Sequence, residues 1–584
     1  MNTAPATTPA LQLDSIPGLP NVPIVPCIQN PLERLLGLER CNQVLAKIPA
    51  DRTGTAFVAA ALEQLQIATD AAEADLANIP ETGGVMIVAN HPYGMLDGLL
   101  VLDLIARKRK DVRFMGNDAL AAIPQLGDLL LGVDLWNGGK RRNAMALRRS
   151  IQWLREGGAL VVFPAGRVSA PRLDRAVVMD RPWQPSIGGI LRHAGCPALP
   201  VHVSGQAGLV TQLGGLLNRH IRLLAQPHQL TSSANRTFQI QVGHPVDAKR
   251  LAACKDDRDR SEYLQFRSYL LAERGRTERA PHATDQPEQP IASPRDRSQL
   301  IAEIADLSPL CTKGTRDVYV TTGNYSPNIL HELGRLRELT FREVGEGTGN
   351  ALDIDDYDDH CDQLLIWDRE DQEIVGAYRL REVNADTDSR ELYCHTLYKL
   401  KRGFMGQIGH GIELGRSFIQ PCYQRQFNSL LLLWQGIGAY VQQRPGATKL
   451  FGAVSISAAY SPASRQAIQE VLAHIRTDNP FAEFATPRNP ARFTPLRPFQ
   501  RAALTRWGCS VEELSEWIAD LEPNPNLQHI PVLIRQYARL GAVFASFNVD
   551  PDFSCAMDGL IVVDLEQTEP RQLRRLFGKT WSLT

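Results

Sequence analysis

The chain has 584 residues, with 63 Lys plus Arg against 64 Asp plus Glu and a formal net charge of -1, which excludes a globally basic nucleic-acid binder. One hydrophobic core stops growing near roughly 250 to 300 residues, so at least two domains are expected. The ten cysteines show no CxxC pair and no metal-ligand spacing, so a reducing cytoplasm and no metal site are expected, and the absence of any apolar run near roughly 20 residues points to a soluble or peripheral protein.

In chain order, residues 1–30 are rich in Pro, Ala and Thr and read as a flexible terminus. The segment PLERLLGLERCNQVLAKI from Pro31 carries apolar residues at helical spacing and is expected to dock on a core. Short apolar runs then alternate with helices: VMIVA at Val85, ALVVFPA at Ala159, ALPVHVS at Ala198 and QIQVG at Gln239. That alternation predicts an α/β domain over residues 31–272. Residues 273–298, polar and Pro-bearing, read as a linker. A second α/β domain over 299–584 is predicted from QLLIWD at Gln363, EIVGAYRL at Glu373, KLFGAVSI at Lys449 and DGLIVVDL at Asp558.

The first chemical constellation lies in VMIVANHPYGMLDG, where a buried strand runs into Asn90, His91 and, after five intervening residues, Asp97. Strand ends are where α/β sheets present side chains to ligands. A carboxylate beside an imidazole fixes its tautomer and leaves the other ring nitrogen to take a proton from an alcohol. The same residues equally describe a turn in which Asp97 only caps the next helix. Phe163, Pro164, Ala165, Gly166 and Arg167 follow a second buried strand, and LPVHV forms a third.

These three blocks resemble the lysophospholipid and glycerolipid acyltransferase family: NHPYGMLDG its His/Asp motif, FPAGRVS its FPEGTRS motif, and LPVHV its short apolar final motif. The resemblance spans roughly Leu35 to Val246. It implies a mixed sheet, His91 and Asp97 as catalytic residues, and Phe163, Gly166 and Arg167 around the acceptor. The chain has one residue more between His91 and Asp97 than the family's usual spacing, and Ala165 stands where the family has Glu. A guanidinium grips a carboxylate as well as a phosphate, so Arg167 suggests an acyl-amino acid with a free carboxylate as acceptor. Two basic clusters, ARKRKDVR at Ala106 and GKRRNAMALRR at Gly139, read as a solvated face, or as attraction to anionic lipid or an acidic carrier protein. The apolar stretch from Leu120 reads as a buried helix, with the lining of an acyl tunnel or a segment dipping into the membrane interface as alternatives.

In the second half, LGRLRELTFREVGEGTG predicts a helix bearing Arg342, and the acidic run after it, including Asp359, reads mostly as a solvated turn. ELGRSFIQPCYQ, LWQGIGAYV, KLFGAVSIS and YARLGA followed by DPDF resemble the acyl-carrier-protein-dependent N-acyltransferases related to the GNAT fold, including ornithine N-acyltransferases. That resemblance, over about Leu333 to Leu565, implies acyl carrier protein as donor and no bound cofactor. It makes Glu413 the candidate for orienting or deprotonating the amine and Arg416 for orienting substrate. Arg342, Asp359 and Arg539 rank below them, and a structural Glu413–Arg416 ion pair is the plain alternative.

The domain order resembles the bifunctional ornithine lipid synthases. The implied reaction pair loads a 3-hydroxyacyl group onto the α-amine of an amino acid, with ornithine favoured, and then esterifies the hydroxyl of the lyso-aminolipid. The implied place is the cytoplasm, peripheral on the inner-membrane surface, with no nucleic-acid partner. The alternative keeps a lysophospholipid acyltransferase and makes the second domain a carrier-protein docking module.

Overall fold

The run VMIVA forms β2 (Val85–Ala89), and all five of its residues are buried, as expected for a strand covered on both faces of a parallel sheet. The structure is a computed structural model describing residues 34, 36–134, 140–172, 177–208, 226–274, 288–424, 426, 429–475, 478–493, 496–507, 510–579 and 581–582. The expected flexible terminus, much of the linker and the start of the Gly139 cluster lie outside the described residues. The chain forms two units, residues 1–275 with 497–506 and 519–528, and residues 276–496 with 507–518 and 529–584.

In the first unit β2 is joined by β1 (Ala68–Asp70), β3 (Val112–Asn117), β4 (Leu130–Val133), β5 (Ala159–Val162), β8 (Ala198–Val203) and β9 (Thr237–Val242). Their order is β1-β9-β8-β2-β5-β3-β4. Every pairing is parallel except β8 with β9, so the sheet is mixed. The three sequence blocks occupy β2 and its two neighbours, β5 and β8. A two-stranded hairpin, β6 (Ala170–Arg172) with β7 (Val177–Met179), follows the FPAGR block. The apolar stretch from Leu120 is not a long helix: it makes 3-10 turns at Asp118–Ala122 and Pro124–Leu129 and then β4. Pro124 and Gly127, the latter at φ 45°, interrupt the helical hydrogen-bond ladder.

One arginine of the Ala106 cluster is structural rather than solvated. Arg109 is buried and donates to the carbonyls of Pro80, Gly83 and Gly157 and to Asp111, which pins three loops with one planar donor fork. Burial also governs the segments that join this unit from the second half of the sequence. Arg267 and Asp520 meet at 2.5 Å with side chains 1% and 0% exposed. Asp520 accepts His244 N at 2.8 Å as well, and Glu273 takes Gln500 Nε2 at 3.2 Å and Arg497 Nε at 3.1 Å.

The second unit contains β10 (Cys311–Lys313), β11 (Arg316–Thr322), β12 (Asp362–Asp368), β13 (Glu373–Val383), β14 (Tyr398–Leu400), β15 (Gly411–Ile419), β16 (Lys449–Ile456), β17 (Ala485–Pro487), β18 (Val543–Asp550) and β19 (Ala556–Asp564). Its main sheet runs β10-β11-β12-β13-β15-β16-β19-β18, and β14 pairs with β17. All neighbours are antiparallel except β15 and β16, which pair only from Gly411↔Lys449 to Glu413↔Phe451. Beyond Glu413 these two strands part and leave a notch in the sheet. The GIG of LWQGIGAYV lies on helix Ser429–Gln442, where a Cβ on Gly436 would come within 2.7 Å of Val318 Cγ1. Glycine there lets the helix lie close on the sheet.

Removing one partner of a buried ion pair strands the other charge, at about 3–5 kcal/mol. Asp520→Ala is therefore expected to destabilise the first unit by about that amount, read as a lower denaturation midpoint and faster amide exchange in helix Asp257–Leu271. Against the opposing effect of burial, Arg267 and His244 hold the Asp520 carboxyl down to about 2. Its contribution is present above the ordinary carboxylate range and is lost as pH falls toward 2, and the variant is expected to lack that acid-side loss.

Candidate active sites

At the end of β2 the chain turns sharply through His91, Pro92, Tyr93 and Gly94. Gly94 has φ 77° and ψ -122°, a conformation open to glycine at little cost. The turn brings the extra residue of the spacing into use, because Asp97 Oδ2 accepts Tyr93 N at 2.8 Å and Gly94 N at 2.9 Å. The same oxygen lies 3.0 Å from His91 Nδ1, with side chains 0% and 18% exposed for Asp97 and His91. Asp97 thus caps the turn and pairs with the imidazole at once. Burial pushes its carboxyl up, while the His91 contact and the two amides pull it back down, and the net direction is upward.

Asn90 fastens the turn to β8, taking Val203 N at 2.7 Å and giving to Val203 O at 2.9 Å. The FPAGR segment folds over it from β5. Phe163 packs on the His91 ring at 4.5 Å between centroids, and Ser169 N donates to His91 O at 2.8 Å. A residue absent from the sequence-based set, Asp180, follows the β6–β7 hairpin and accepts His91 N at 3.3 Å. No motif marked it, because the His91 and Tyr269 contacts that place it at the site each span 89 residues.

A cavity of about 900 Å³ opens beside His91. Its walls are mostly apolar, with Leu38, Cys41, Val44 and Leu45 from helix Leu38–Lys47, Leu99 and Leu102 from helix Met95–Ala106, and Leu120, Ile123 and Leu126 from the 3-10 turns. Phe163, Ala165, Gly166 and Arg167 line it too, and so does Arg181. Arg167 and Arg181 are exposed and have no carboxylate partner among the described residues. A mostly apolar volume lined by His91 and two arginines suits an acyl chain ending in a polar, anionic group.

In the second unit Glu413 sits at the last paired residue before the β15–β16 notch. It is buried and accepts the backbone amides of Tyr393 at 3.2 Å and Cys394 at 2.8 Å. Its carboxylate does not pair with Arg416. The chain bulges between β13 and β15 there, and Arg416 takes the left-handed φ of 48°. Its guanidinium reaches Asp353 at 3.0 Å, Asp355 at 3.3 Å and Tyr393 OH at 2.9 Å. A side-chain-bearing residue held at positive φ stores strain that the surrounding contacts must hold.

The acidic run is therefore only partly a solvated turn. Asp353 and Asp358 are buried, and Asp358 pairs with Arg337 at 2.8 Å and with Arg379 at 3.3 Å, while Asp355 pairs with Arg379 at 2.5 Å. The arginines sit on other elements, which composition alone does not reveal. Asp359 is exposed, with its carbonyl accepting from Asn324. Arg342 binds Glu338 and the carbonyls of Gln289 and Asn350, and Arg539 pairs loosely with Glu512 at 3.9 Å. None of these three contacts Glu413.

Three further buried carboxyls gather on the face of the sheet that carries Glu413. Ser455 faces Asp558 across β16 and β19 and donates to Glu346 at 2.7 Å, and Asp550 lies two residues from Asn548, the partner of Asp558 in β18. Burial pushes the Glu346 carboxyl up to about 7 against the Ser455 bond. Burial, then repulsion from Asp550 and Glu346, drives Asp558 well above the carboxylate range.

A mostly parallel sheet presenting a His/Asp pair over an apolar cavity, joined to an antiparallel sheet with one splayed parallel pair, defines a fusion of two acyl-transferring folds. Residues 32–275 match the family described as "Acyltransferase" and residues 336–435 the one described as "Acetyltransferase (GNAT) domain"; the chain is an acyltransferase-family domain followed by a GNAT domain. It is 33% identical over 194 residues to the glycine N(alpha)-acyltransferase of Phocaeicola vulgatus, covering 30% of this chain and 60% of that protein. It is 26% identical over 244 residues to the L-ornithine N(alpha)-acyltransferase of Rhizobium meliloti, 41% of this chain and 75% of that one. The lyso-glycine lipid O-acyltransferase of Bacteroides thetaiotaomicron matches at 23% identity over 230 residues, 38% of this chain and 81% of that one. The chain spans under two thirds of the length of the first of these relatives. No helix among the described residues is long and apolar enough to cross a membrane.

Gly98 lines the cavity, and a Cβ there meets nothing within 4 Å. Gly98→Leu is expected to leave the fold intact, since replacing a helical glycine gains roughly 0.5–1 kcal/mol, while shortening the cavity. Titration with fluorescent fatty acids checks this: the longest chains are expected to bind more weakly and short ones unchanged.

Proposed function

We propose that the chain makes a two-chain aminolipid in two acyl transfers. The GNAT unit joins a 3-hydroxyacyl group to the α-amine of an amino acid, and the first unit then acylates the new lipid's hydroxyl. The observation that carries this reading is the His91–Asp97 pair at 3.0 Å beside an apolar cavity that also holds Arg167. The names of the similar proteins, N-acyltransferases and a lyso-lipid O-acyltransferase, support the same two steps.

In the O-transfer, His91 Nε2 takes the proton from the acceptor hydroxyl as its oxygen attacks the thioester carbonyl. Asp97 holds Nδ1 and stabilises the imidazolium. The C–S bond breaks, and the leaving thiolate takes the proton back, so the ester and free thiol form without net proton change. Arg167 and Arg181 hold the acceptor's carboxylate. Ala165 in place of an acidic side chain removes a charge that would repel it.

In the N-transfer, the ammonium loses a proton, the amine attacks the thioester, and the amide forms with release of the thiol. Glu413 is a positioning residue here, anchoring Tyr393 and Cys394 and through Tyr393 the Arg416 guanidinium. Glu346 is the proposed base, since a carboxyl raised to about 7 takes an ammonium proton more readily than an ordinary one. A second ammonium beside Asp550 and Asp558 would offset the burial that keeps these carboxyls hard to ionise, which supports ornithine over glycine as the amino acid. The donor is acyl carrier protein, and the protein works on the cytoplasmic face of the inner membrane, where exposed Arg141, Arg142, Arg148 and Arg149 meet anionic lipid.

Lipid extracts of cells expressing His91→Ala are expected to accumulate the single-chain acyl-amino acid, and Glu346→Gln to contain neither lipid. Mass spectrometry of the headgroup identifies the amino acid. Normal two-chain lipid from the His91 variant would refute the assignment of the O-transfer to this site. The N-transfer rate is expected to rise with pH through about 7 as Glu346 loses its proton, and this limb is expected to vanish in Glu346→Gln. The sign for stability is opposite: a carboxyl raised in the folded state stabilises below the ordinary Glu range and ceases to do so as pH passes about 7.

A further inference from the structure

The geometry points to Asp180 as a positioning residue for the O-transfer, a second buried carboxylate that holds the His91 main chain and supports the charge that forms on its ring. This rests on the proposed reading of the first unit as an O-acyltransferase. Asp180 is 1% exposed. Its Oδ1 accepts His91 N at 3.3 Å and Ser169 Oγ at 2.5 Å, and its Oδ2 accepts Trp183 Nε1 at 2.9 Å. Three donors and no acceptor match an ionised carboxylate, which can only accept.

The arrangement ties together the two blocks that make the site. His91 belongs to the turn after β2 and Ser169 to the segment after β5, and Ser169 also donates its own amide to His91 O at 2.8 Å. One carboxylate therefore fixes the base and the Phe163–Arg167 segment in register. Its own backbone is held in turn, with Asp180 N donating to Tyr269 OH at 2.7 Å. The titratable and charged groups around the pair are Asp97 on helix Met95–Ala106, Tyr269 on helix Asp257–Leu271, behind Tyr269 at 5.4 Å between rings His202 on β8, and on the cavity side Arg167 and Arg181. Burial holds the hydroxyl of Tyr269 and the ring of His202 in their neutral forms near neutral pH. Burial also pushes the Asp180 and Asp97 carboxyls up, against the donors each accepts from; Asp97 touches the ring and Asp180 the main chain of the same residue.

When His91 takes the hydroxyl proton it becomes a cation in a site with little water to stabilise it. A fixed negative charge already beside it lowers that cost without reorganisation. The contribution appears in the chemical step and not in substrate binding, because no atom of Asp180 lines the cavity.

The test measures O-acylation of a synthetic lyso-ornithine lipid with acyl carrier protein as donor. Asp180→Asn keeps an oxygen for His91 N and Ser169, but its amide faces the Trp183 N–H; adding Trp183→Phe removes that clash. Both variants are expected to lower kcat by about tenfold or more with KM within about twofold, and to move the acid limb of the kcat/KM profile to lower pH. Ser169→Ala keeps the carboxylate and is expected to leave the limb in place. If the double variant folds with wild-type kcat and an unmoved limb, or if Ser169→Ala moves the limb as far as Asp180→Asn does, Asp180 has no such role. If the double variant does not fold, Ser169→Ala and Trp183→Phe decide: each is expected to lower kcat by a few fold at unchanged KM, and wild-type kcat in both overturns the assignment. Wild-type protein that acylates no hydroxyl acceptor overturns the reading of the unit, and this assignment with it.

Discussion

A carboxylate taken out of water must be given donors or it will hold a proton, and the first site depends on how Asp97 meets that requirement. One of its oxygens, Oδ2, accepts two turn amides and faces the His91 imidazole, while Oδ1 is buried without a hydrogen-bond partner among the described residues, in keeping with the upward push on the carboxyl. The turn could not close without Gly94, because a side chain there would have to adopt a left-handed backbone and press on Gln226. The identity of one glycine thus controls whether the acid reaches the base. Helix capping and contact with the imidazole, the geometries behind the two readings of the motif, belong to one contact set.

The same electrostatic rule shapes the second unit differently. There, Arg337, Arg379 and Arg416 are drawn inside by Asp353, Asp355 and Asp358, so the charges neutralise one another. Glu346, Asp550 and Asp558 form no ion pair among the described residues, the Arg416 charge only partly offsets the burial of the two aspartates, and all three stay costly to ionise. Structural networks and reactive groups can both contain perturbed acids. What separates them here is the presence or absence of a paired guanidinium.

On the proposed reading, the two units answer one substrate problem. A lipid with one acyl chain and a free carboxylate needs an apolar volume, a base and a cation in one place, and the first unit supplies all three around β2 and β5. An amino acid needs carboxylates for its ammonium and a gap for a thioester, and the second unit offers acids beside a notch where β15 and β16 diverge. Residues 497–506 and 519–528 complete the first unit although they follow most of the second in sequence, so the order of the polypeptide is not the order of the folded units.

The sequence by itself determined the strands that carry the candidate site, because VMIVA, ALVV and ALPVHV are apolar runs suited to burial, and it singled out His91, Asp97 and Arg167 as candidates because they lie in the segments just after two of those runs. Local patterning also gave the α/β class of both halves. Tertiary structure alone decided that Asp97 touches His91 despite the longer spacing, that Asp180 stands behind them, and that Glu413 binds amides while Arg416 binds Asp353. It also turned the acidic run into a buried network and the stretch from Leu120 into a cavity wall. The physical reason is the range of the forces: hydrophobic periodicity is written along the chain, whereas the partners of a buried charge lie tens to hundreds of residues away and are chosen only when the chain folds.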